Sequence, residues 1–342
     1  MLRAVRNHKV PSRPELFLRK KGRCIDMAAT TAALQKNSIF SMNRNKTQYG
    51  RAEARAGILF AMPVILGFII FVLGPMIASL YLSLTDYRIT GESRFIGFEH
   101  YANMFTGRDI FFWQSVKVTT YYVALAIPAG ILFSFAMAML MNQDIKGRAL
   151  FRTIFYLPTI VPVVALTLVW MWLFNPDLGL INNLLRGWGL PTSMWLFGEA
   201  TAVPTLVLMS VWTTGGPMII FLAGLQGIPR HLYEAATIDG GNSLHRFIYI
   251  TIPMMTPTIF FNLIMGLIGA FQIFAPAMII SQGGPNNATL FYVFHMYRTA
   301  FMQSRMGEAS AWAWVLFLIV AFFTFIAFRS SKKWVYYEDG RA

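Results

Sequence analysis

Charge is scarce in this chain. Asp, Glu, Lys and Arg make up 13% of the residues, against about 25% in an ordinary soluble domain, while 56% are hydrophobic. That balance excludes a soluble globular protein and indicates an all-α integral membrane protein. There is one cysteine, Cys24, so an internal disulfide is excluded, and neither a CxxC pair nor a histidine cluster with metal-ligand spacing occurs. No GxxxxGK[ST] loop is present to cradle nucleotide phosphates, and no Ser-His-Asp or paired-carboxylate arrangement can be assembled. The five histidines (His8, His100, His231, His245 and His295) are scattered among loops and are expected to serve surface or interface packing. The N-terminal stretch has no early apolar run with a small-residue cleavage site, so the first span is expected to direct insertion itself.

The net charge of +14 is unevenly placed. Residues 1–55 hold 13 Lys and Arg against Glu15, Asp26 and Glu53, which leaves +10 in this tail and +4 for the remainder. A nucleic-acid groove is therefore not expected. The tail lacks a sustained apolar period, so disorder is expected there. It reads either as a segment drawn to anionic lipid or as an upstream extension before a start at Met27 or Met42, the second being favoured.

Six apolar stretches are long enough to cross about 30 Å of hydrocarbon. They are Ile58–Leu84, Val118–Met141, Thr153–Phe174, Val203–Leu225, Met254–Ile280 and Ala309–Phe328. Their prolines are expected to mark bends or span ends. The domain layout expected is a basic tail over 1–55, a six-helix transmembrane domain over 56–329 and a C-terminal tail over 330–342. Of the basic residues flanking the spans, thirteen lie on the side that includes both termini (Arg44 to Arg55, Lys146 to Arg152, Arg230 and Arg246, Arg329 to Arg341) and seven on the other. This bias places both termini in the cytoplasm. The loops 85–117, 175–202 and 281–308 mix aromatics with apolar helical spacing, as in Leu180, Leu184 and Leu185, and short interfacial helices are expected in them.

All fifteen Asp and Glu fall outside these six stretches, and no Lys, Arg or His lies deep in one. An ion-driven carrier usually keeps an ionisable group near the midplane, so proton coupling is disfavoured, although a sodium site of backbone carbonyls stays open. An ion-coupled secondary carrier is thus the lesser alternative. A lipid-metabolising membrane enzyme would need a catalytic constellation that the sequence does not offer.

One polar segment, 229–253, lies between the fourth and fifth spans on the side assigned to the cytoplasm. Pro229 suits the first turn of a short helix, on which Leu232, Ala235, Ala236 and Asp239 share a face. Gly240 and Gly241 would end that helix, Asn242 or Ser243 would cap the next, and Pro253 would mark its junction with the fifth span. The residues alone do not decide between a docking knob and a helix packed on its own bundle. The stretch EAATIDGGNSLHRFIYITIP resembles the EAA loop of ABC importer permeases, with Glu234, Ala235, Ala236, Gly240, Ile250 and Pro253 at the family spacing and Ile252 where Leu is usual.

FIGFEHYANMF, KGRALFRTIFYLPTIVP, GLINNLL, SQGGP and MGEASAWAW are similar to the carbohydrate branch of that family, the maltose and glycerol-3-phosphate type. The resemblance covers about residues 50–338. It implies the type I, binding-protein-dependent permease fold with six transmembrane helices, in a multi-pass protein of the bacterial inner membrane. It also implies a homologous second permease, two ATP-binding subunits carrying ATP and Mg, and an extracytoplasmic solute-binding protein. This chain itself would hold no cofactor or metal and would not be an enzyme. Glu234 would pair with a basic residue of the ATPase, Ala235 and Ala236 would permit close packing, Gly240 would shape the turn, and Asp239, Ile250 and Pro253 complete the coupling loop.

A path for a sugar-like solute needs hydrogen-bonding groups beside flat apolar faces. Candidates are Trp212, Thr213, Thr214, Gly215 and Gly216 in the fourth span, and Asn262, Phe271, Gln272 and Phe274 in the fifth. The absence of buried charge favours a neutral sugar over a phosphorylated one. Glycerol-3-phosphate or a peptide is the alternative solute.

Overall fold

The computed structural model describes residues 50, 53–89, 91, 93–144 and 146–336. The expectations for Cys24, His8 and almost all of the basic tail lie outside these residues. The described residues fall into two units, the first ending at Met76 and the second beginning at Ile77. Among them the architecture is entirely helical, apart from one isolated antiparallel bridge, Thr85 to Phe95.

Helix α1 covers Glu53–Leu82. The second unit continues with α2 (Glu99–Phe105), α3 (Ile110–Asn142), α4 (Arg148–Ile160), α5 (Val163–Leu173), α6 (Leu180–Gly187), α7 (Ala202–Trp212), α8 (Gly215–Gly227) and α9 (Arg230–Ile238). After these come α10 (Ser243–Arg246), α11 (Ile252–Phe271), α12 (Ala275–Ile280), α13 (Tyr292–Tyr297) and α14 (Met306–Trp334). Among the described residues four helical stretches are long and apolar enough to cross a membrane: Glu53–Leu82, Ile110–Asn142, Ser243–Ile280 and Met306–Trp334. The pairs α4 with α5 and α7 with α8 pass the same test jointly but bend by 98° and 51°, so the total is four, or six if each bent pair is one span.

These helices differ from the expected spans in instructive ways. Helix α3 starts at Ile110 rather than Val118, bringing Lys117 into its first turns, and α14 starts at Met306 rather than Ala309, bringing in Glu308. Asp109 caps α3, its carboxylate accepting the Phe111 N–H at 3.0 Å. Helix α14 runs on to Trp334, past the boundary expected at 329. The third stretch is two helices, because Pro162 places an extended residue pair between them, and the fourth is broken at Thr213 and Thr214.

Prolines do not uniformly break the helices. Pro128, Pro158 and Pro257 sit inside α3, α4 and α11. Two others follow a π turn directly: Gly74 N–H bonds Ile69 O just before Pro75, and Ile252 N–H bonds Phe247 O just before Pro253. Proline lacks an N–H and its ring presses on the carbonyl four residues back, and a wider turn moves that carbonyl aside. Pro253 is therefore not the junction expected of it: α10, the π turn Phe247–Thr251 and α11 form one continuous helix.

Helix α3 is the centre of the second unit, packing against α7, α8 and α11. Its buried residues Val118, Tyr122, Ala126, Ser134, Ala138 and Met141 recur at helical spacing, and the small ones among them let neighbouring backbones approach. One apolar cluster gathers where α3 meets α7, α13 and α14, around Phe112, Phe291, Phe294 and Trp312. A second gathers near the other end of α3, around Met141, Met218, Phe221, Leu225 and Met255. The three loops expected to carry short helices do so, in α2, α6 and α13. On α6 the leucines Leu180 and Leu184 are exposed, and the buried residue is Asn182.

Candidate functional site

The hairpin 229–253 is built as the sequence suggests up to its second helix. Pro229 precedes α9 in an extended conformation, and Asp239 ends it. Gly240 adopts φ +81°, donating to Thr237 O at 3.1 Å, while Gly241 donates to Ala236 O at 2.7 Å. This pair of bonds satisfies the last carbonyls of the helix and needs a left-handed residue at Gly240. Asn242 then caps α10, its side chain accepting the His245 N–H at 2.8 Å. Ser243, the other candidate cap, is the first helical residue instead.

The face expected to group Leu232, Ala235, Ala236 and Asp239 is divided by the structure. Leu232 and Tyr233 turn inward with Ile250 onto the cluster of Met218, Phe221 and Met255, and Ala236 is half-buried. Tyr233 also meets Thr251 Oγ1 at 3.0 Å through its hydroxyl. Glu234, Ala235 and Asp239 face outward, joined by Ile238, 87% exposed, and Leu244, 64% exposed. The sequence reading passed over these two apolar side chains, although a bare Ile and Leu in a polar loop were a legible signal. Pro253 is half-buried within the continuous helix. The knob is thus anchored by one face and presents an acidic and apolar tip by the other.

A cavity of about 870 Å³ lies in the second unit between α3, α5, the α7–α8 break and α11. Of the residues proposed for a solute path, Thr213, Thr214, Gly216, Asn262, Gln272 and Phe274 line it. Trp212, Gly215 and Phe271 do not. The 51° bend turns Trp212 away, edge-on to Trp170 at 6.1 Å, and Phe271 is a core residue stacked on Phe323 at 5.4 Å. Gly215 is a packing residue: a Cβ there would come within 2.6 Å of Phe155 O and 2.7 Å of Thr159 Oγ1, so α4 and α8 touch at this point.

Helices α3 and α5 contribute Tyr122, Ser134, Thr167 and Trp170 to the wall, none of them anticipated. Among the described residues no charged side chain lines the cavity. The hydroxyls of Thr167, Thr213 and Thr214 donate to Val163 O, Ser210 O and Val211 O at 2.7, 2.9 and 2.7 Å. With their protons committed to the backbone, these hydroxyls can act toward a solute only as acceptors. Asn262 donates to Thr258 O at 2.9 Å. Aromatic faces, hydroxyls and amides without charge suit a neutral, hydroxyl-rich solute.

Two histidines are more deeply placed than the sequence suggested. His100 is buried with Nε2 3.0 Å from Thr85 O, and His295 is 3% exposed between aromatic rings. Among the described residues no group of His, Cys, Asp and Glu is arranged to hold a metal ion.

Comparison with known proteins follows the same lines. The chain is 44% identical over 298 residues to a probable ABC transporter permease protein, YesP, of Bacillus subtilis (strain 168), covering 86% of this chain and 96% of that one. It is 30% identical to the trehalose/maltose transport system permease protein MalF of Thermococcus litoralis, covering 82% and 95%. The lactose transport system permease protein LacF of Rhizobium radiobacter is 33% identical, covering 81% and 94%. A chain in the crystal structure of a bacterial alginate ABC transporter, in complex with alginate pentasaccharide-bound periplasmic protein, shares the fold with a TM-score of 0.73 at 24% identity, covering 83% of this chain and 96% of that one. Residues 126–332 match the family described as "Binding-protein-dependent transport system inner membrane component". The chain therefore belongs to this family, the ABC transporter permeases.

Proposed function

We propose that this chain is the permease subunit of an importer that moves a neutral sugar or sugar-like solute through the cavity bounded by α3, α5, α7, α8 and α11. The observation that carries the reading is the cavity wall, which combines Trp170, Tyr122 and Phe274 with hydroxyls and amides and, among the described residues, contains no charged side chain. A phosphorylated solute would call for Arg or Lys there. The relatives named for trehalose/maltose and lactose transport support the same solute class.

Each bent pair counts as one span in this reading, which gives six spans with both termini in the cytoplasm. The hairpin 229–253 is then the coupling knob. Glu234, Ala235, Asp239 and Ile238 meet the groove of an ATP-binding subunit, and Gly240 and the π turn before Pro253 transmit its motion into α11. A homologous second permease, two ATP-binding subunits with ATP and Mg, and an extracytoplasmic solute-binding protein complete the importer. Two arrangements of the permease pair, biased by ATP, supply the coupling.

Uptake of radiolabelled disaccharides by cells expressing the full importer tests the solute assignment. Gln272→Ala and Thr213→Val are expected to reduce uptake about tenfold, the loss of roughly one hydrogen bond to solute, while the assembled complex still purifies. Unchanged uptake in both variants would remove this cavity from the path.

A further inference from the structure

A second cavity, of about 390 Å³, lies apart from the one lined by Trp170 and Asn262 and shares no residue with it. It opens where α3 ends and the helical stretch Ser243–Ile280 begins. Asn142 and Ser243, the terminal residues of these two candidate spans, both line it. On α3 the apolar run stops at Met141, and beyond Arg246 the other stretch turns apolar with Phe247, Ile248, Tyr249 and Ile250. The cavity thus lies at the border between hydrocarbon and headgroups, a layer about 5 to 8 Å deep on each side of the bilayer core.

Among the described residues Arg246 is the only charged one in its wall, and it is half-buried. Its guanidinium donates to Thr237 Oγ1 through Nη1 and to Ser243 Oγ through Nη2, each at 3.3 Å, which joins α9 to α10. Both acceptors are neutral and both bonds are long. A guanidinium carries five N–H donors, so three more can serve a ligand. No ion pair among the described residues includes Arg246. A half-buried cation without a counter-charge favours an anion beside it. Asn142 and Gln143 bring amides to the same wall from the end of α3, and the Ser243 hydroxyl can still donate its own proton.

The opposite chemistry comes from Met139, Leu225 and Phe247, which also line the cavity. Ile248 and Tyr249, which follow Phe247, are 45% and 66% exposed. A cation, amides and a hydroxyl set next to hydrocarbon suit an amphiphile better than a small hydrophilic ion. One guanidinium balances one phosphodiester charge, and the amides and the hydroxyl match hydroxyls on a headgroup. An ammonium headgroup gains nothing further, because among the described residues no carboxylate lines the cavity. Tyr233, on the anchored face of the hairpin, lines it as well, whereas Glu234 and Ile238 of the tip do not.

We propose that this cavity binds the headgroup of an anionic phospholipid, a hydroxyl-bearing phosphodiester of the phosphatidylglycerol type, with Arg246 holding the phosphate. Basic pockets between spans are where such headgroups bind. A headgroup in this place ties the end of α3 to the turn between α9 and α10 and leaves the tip of the hairpin free.

The test is native mass spectrometry of the full-length chain in detergent, titrated with dioctanoyl phosphatidylglycerol, dioctanoyl phosphatidylethanolamine or inorganic phosphate. Phosphatidylglycerol is expected to bind about fivefold more tightly than phosphatidylethanolamine, the ratio that one favourable charge at a bilayer surface supplies. Arg246→Met is expected to weaken phosphatidylglycerol binding about tenfold and to bring the two lipids level. Arg148→Met removes an arginine that lies outside the cavity and is engaged by Asp144 at 3.0 Å, and it is expected to leave the preference unchanged. Because Arg246 also joins α9 to α10, Asn142→Leu serves as a second variant that keeps those bonds, and it is expected to weaken phosphatidylglycerol binding about fivefold. Equal binding of the two lipids by the wild type, an equal loss in Arg148→Met, or undiminished binding in Arg246→Met overturns the proposal. So does undiminished binding in Asn142→Leu where Arg246→Met fails to fold. Displacement of phosphatidylglycerol by inorganic phosphate at matching concentration also overturns it, since the site then takes soluble phosphate. None of these outcomes bears on the solute path, which disaccharide uptake tests separately.

Discussion

At the scale of single residues, the polar side chains buried in this chain hold it together more than its sequence suggests. Asn182 is 1% exposed on α6 and uses both ends of its amide. Nδ2 donates to Pro176 O and Ser193 O, each at 2.9 Å, while Oδ1 accepts from Trp195 Nε1 at 2.7 Å and Ser193 N at 3.3 Å. It thereby fixes the loop between α5 and α7 from inside, a task no leucine of that helix could perform. Asn182→Ala would strand the Trp195 indole N–H and two backbone carbonyls, at a cost of about 2 to 3 kcal/mol. A lower midpoint of thermal unfolding in detergent, with membrane insertion unchanged, is the expected outcome. Asn182→Asp should recover only part of the loss, because it keeps the acceptor and removes the donor. An unchanged midpoint in Asn182→Ala would show that water replaces these bonds.

At the scale of elements, what was legible in the sequence was length and punctuation, and what was not was the meeting of distant segments. The apolar runs located the long helices because crossing hydrocarbon requires length. Their breaks were hidden: the run from Thr153 to Phe174 stays apolar across Val161 and Pro162, and the other break falls at Thr213 and Thr214, ordinary residues in a helix packed by small side chains. Conversely Pro128 and Pro257 looked like bends and lie within helices. About a third of the cavity wall came from α3 and α5, whose Ser134 and Thr167 are indistinguishable in sequence from packing residues. Asn142 and Arg246 are too far apart in the chain for any local pattern to bring them to one cavity.

The hairpin was legible because its signals are local: a proline, two glycines and a cap. Its anchoring face was not, since only packing tells Leu232 from Ala235. The tip so revealed yields an element-scale prediction about docking. Glu234→Lys and Ile238→Asp each reverse one property of the exposed face and leave the buried face of Leu232, Tyr233 and Ile250 untouched. Both variants should insert normally and lose most of the ATP-binding subunit on co-purification, since an exposed apolar anchor and a paired charge at an interface centre each commonly contribute about 2 kcal/mol or more. Undiminished co-purification in both would mean the knob serves only its own bundle.

At the scale of the whole molecule, the second unit leaves most of its apolar surface uncovered. Within the most apolar windows of the candidate spans Ile110–Asn142, Ser243–Ile280 and Met306–Trp334, 22%, 17% and 22% of residues are buried. Such faces require lipid or other subunits around them. The sequence has no loop for nucleotide phosphates, and among the described residues no Asp, Glu, Lys, Arg or His lines the cavity. In the proposed importer the drive comes from outside this conduit. Proteoliposomes holding this chain alone should therefore show no accumulation of disaccharide above the external concentration, whatever ion gradient is imposed. Adding the second permease, the ATP-binding subunits, the solute-binding protein and Mg-ATP should restore accumulation, and an ionophore should leave it intact. Uphill uptake by the chain alone, or uptake by the full assembly that collapses with the ionophore and ignores ATP, would assign the motor to this chain and displace the hairpin from its coupling role.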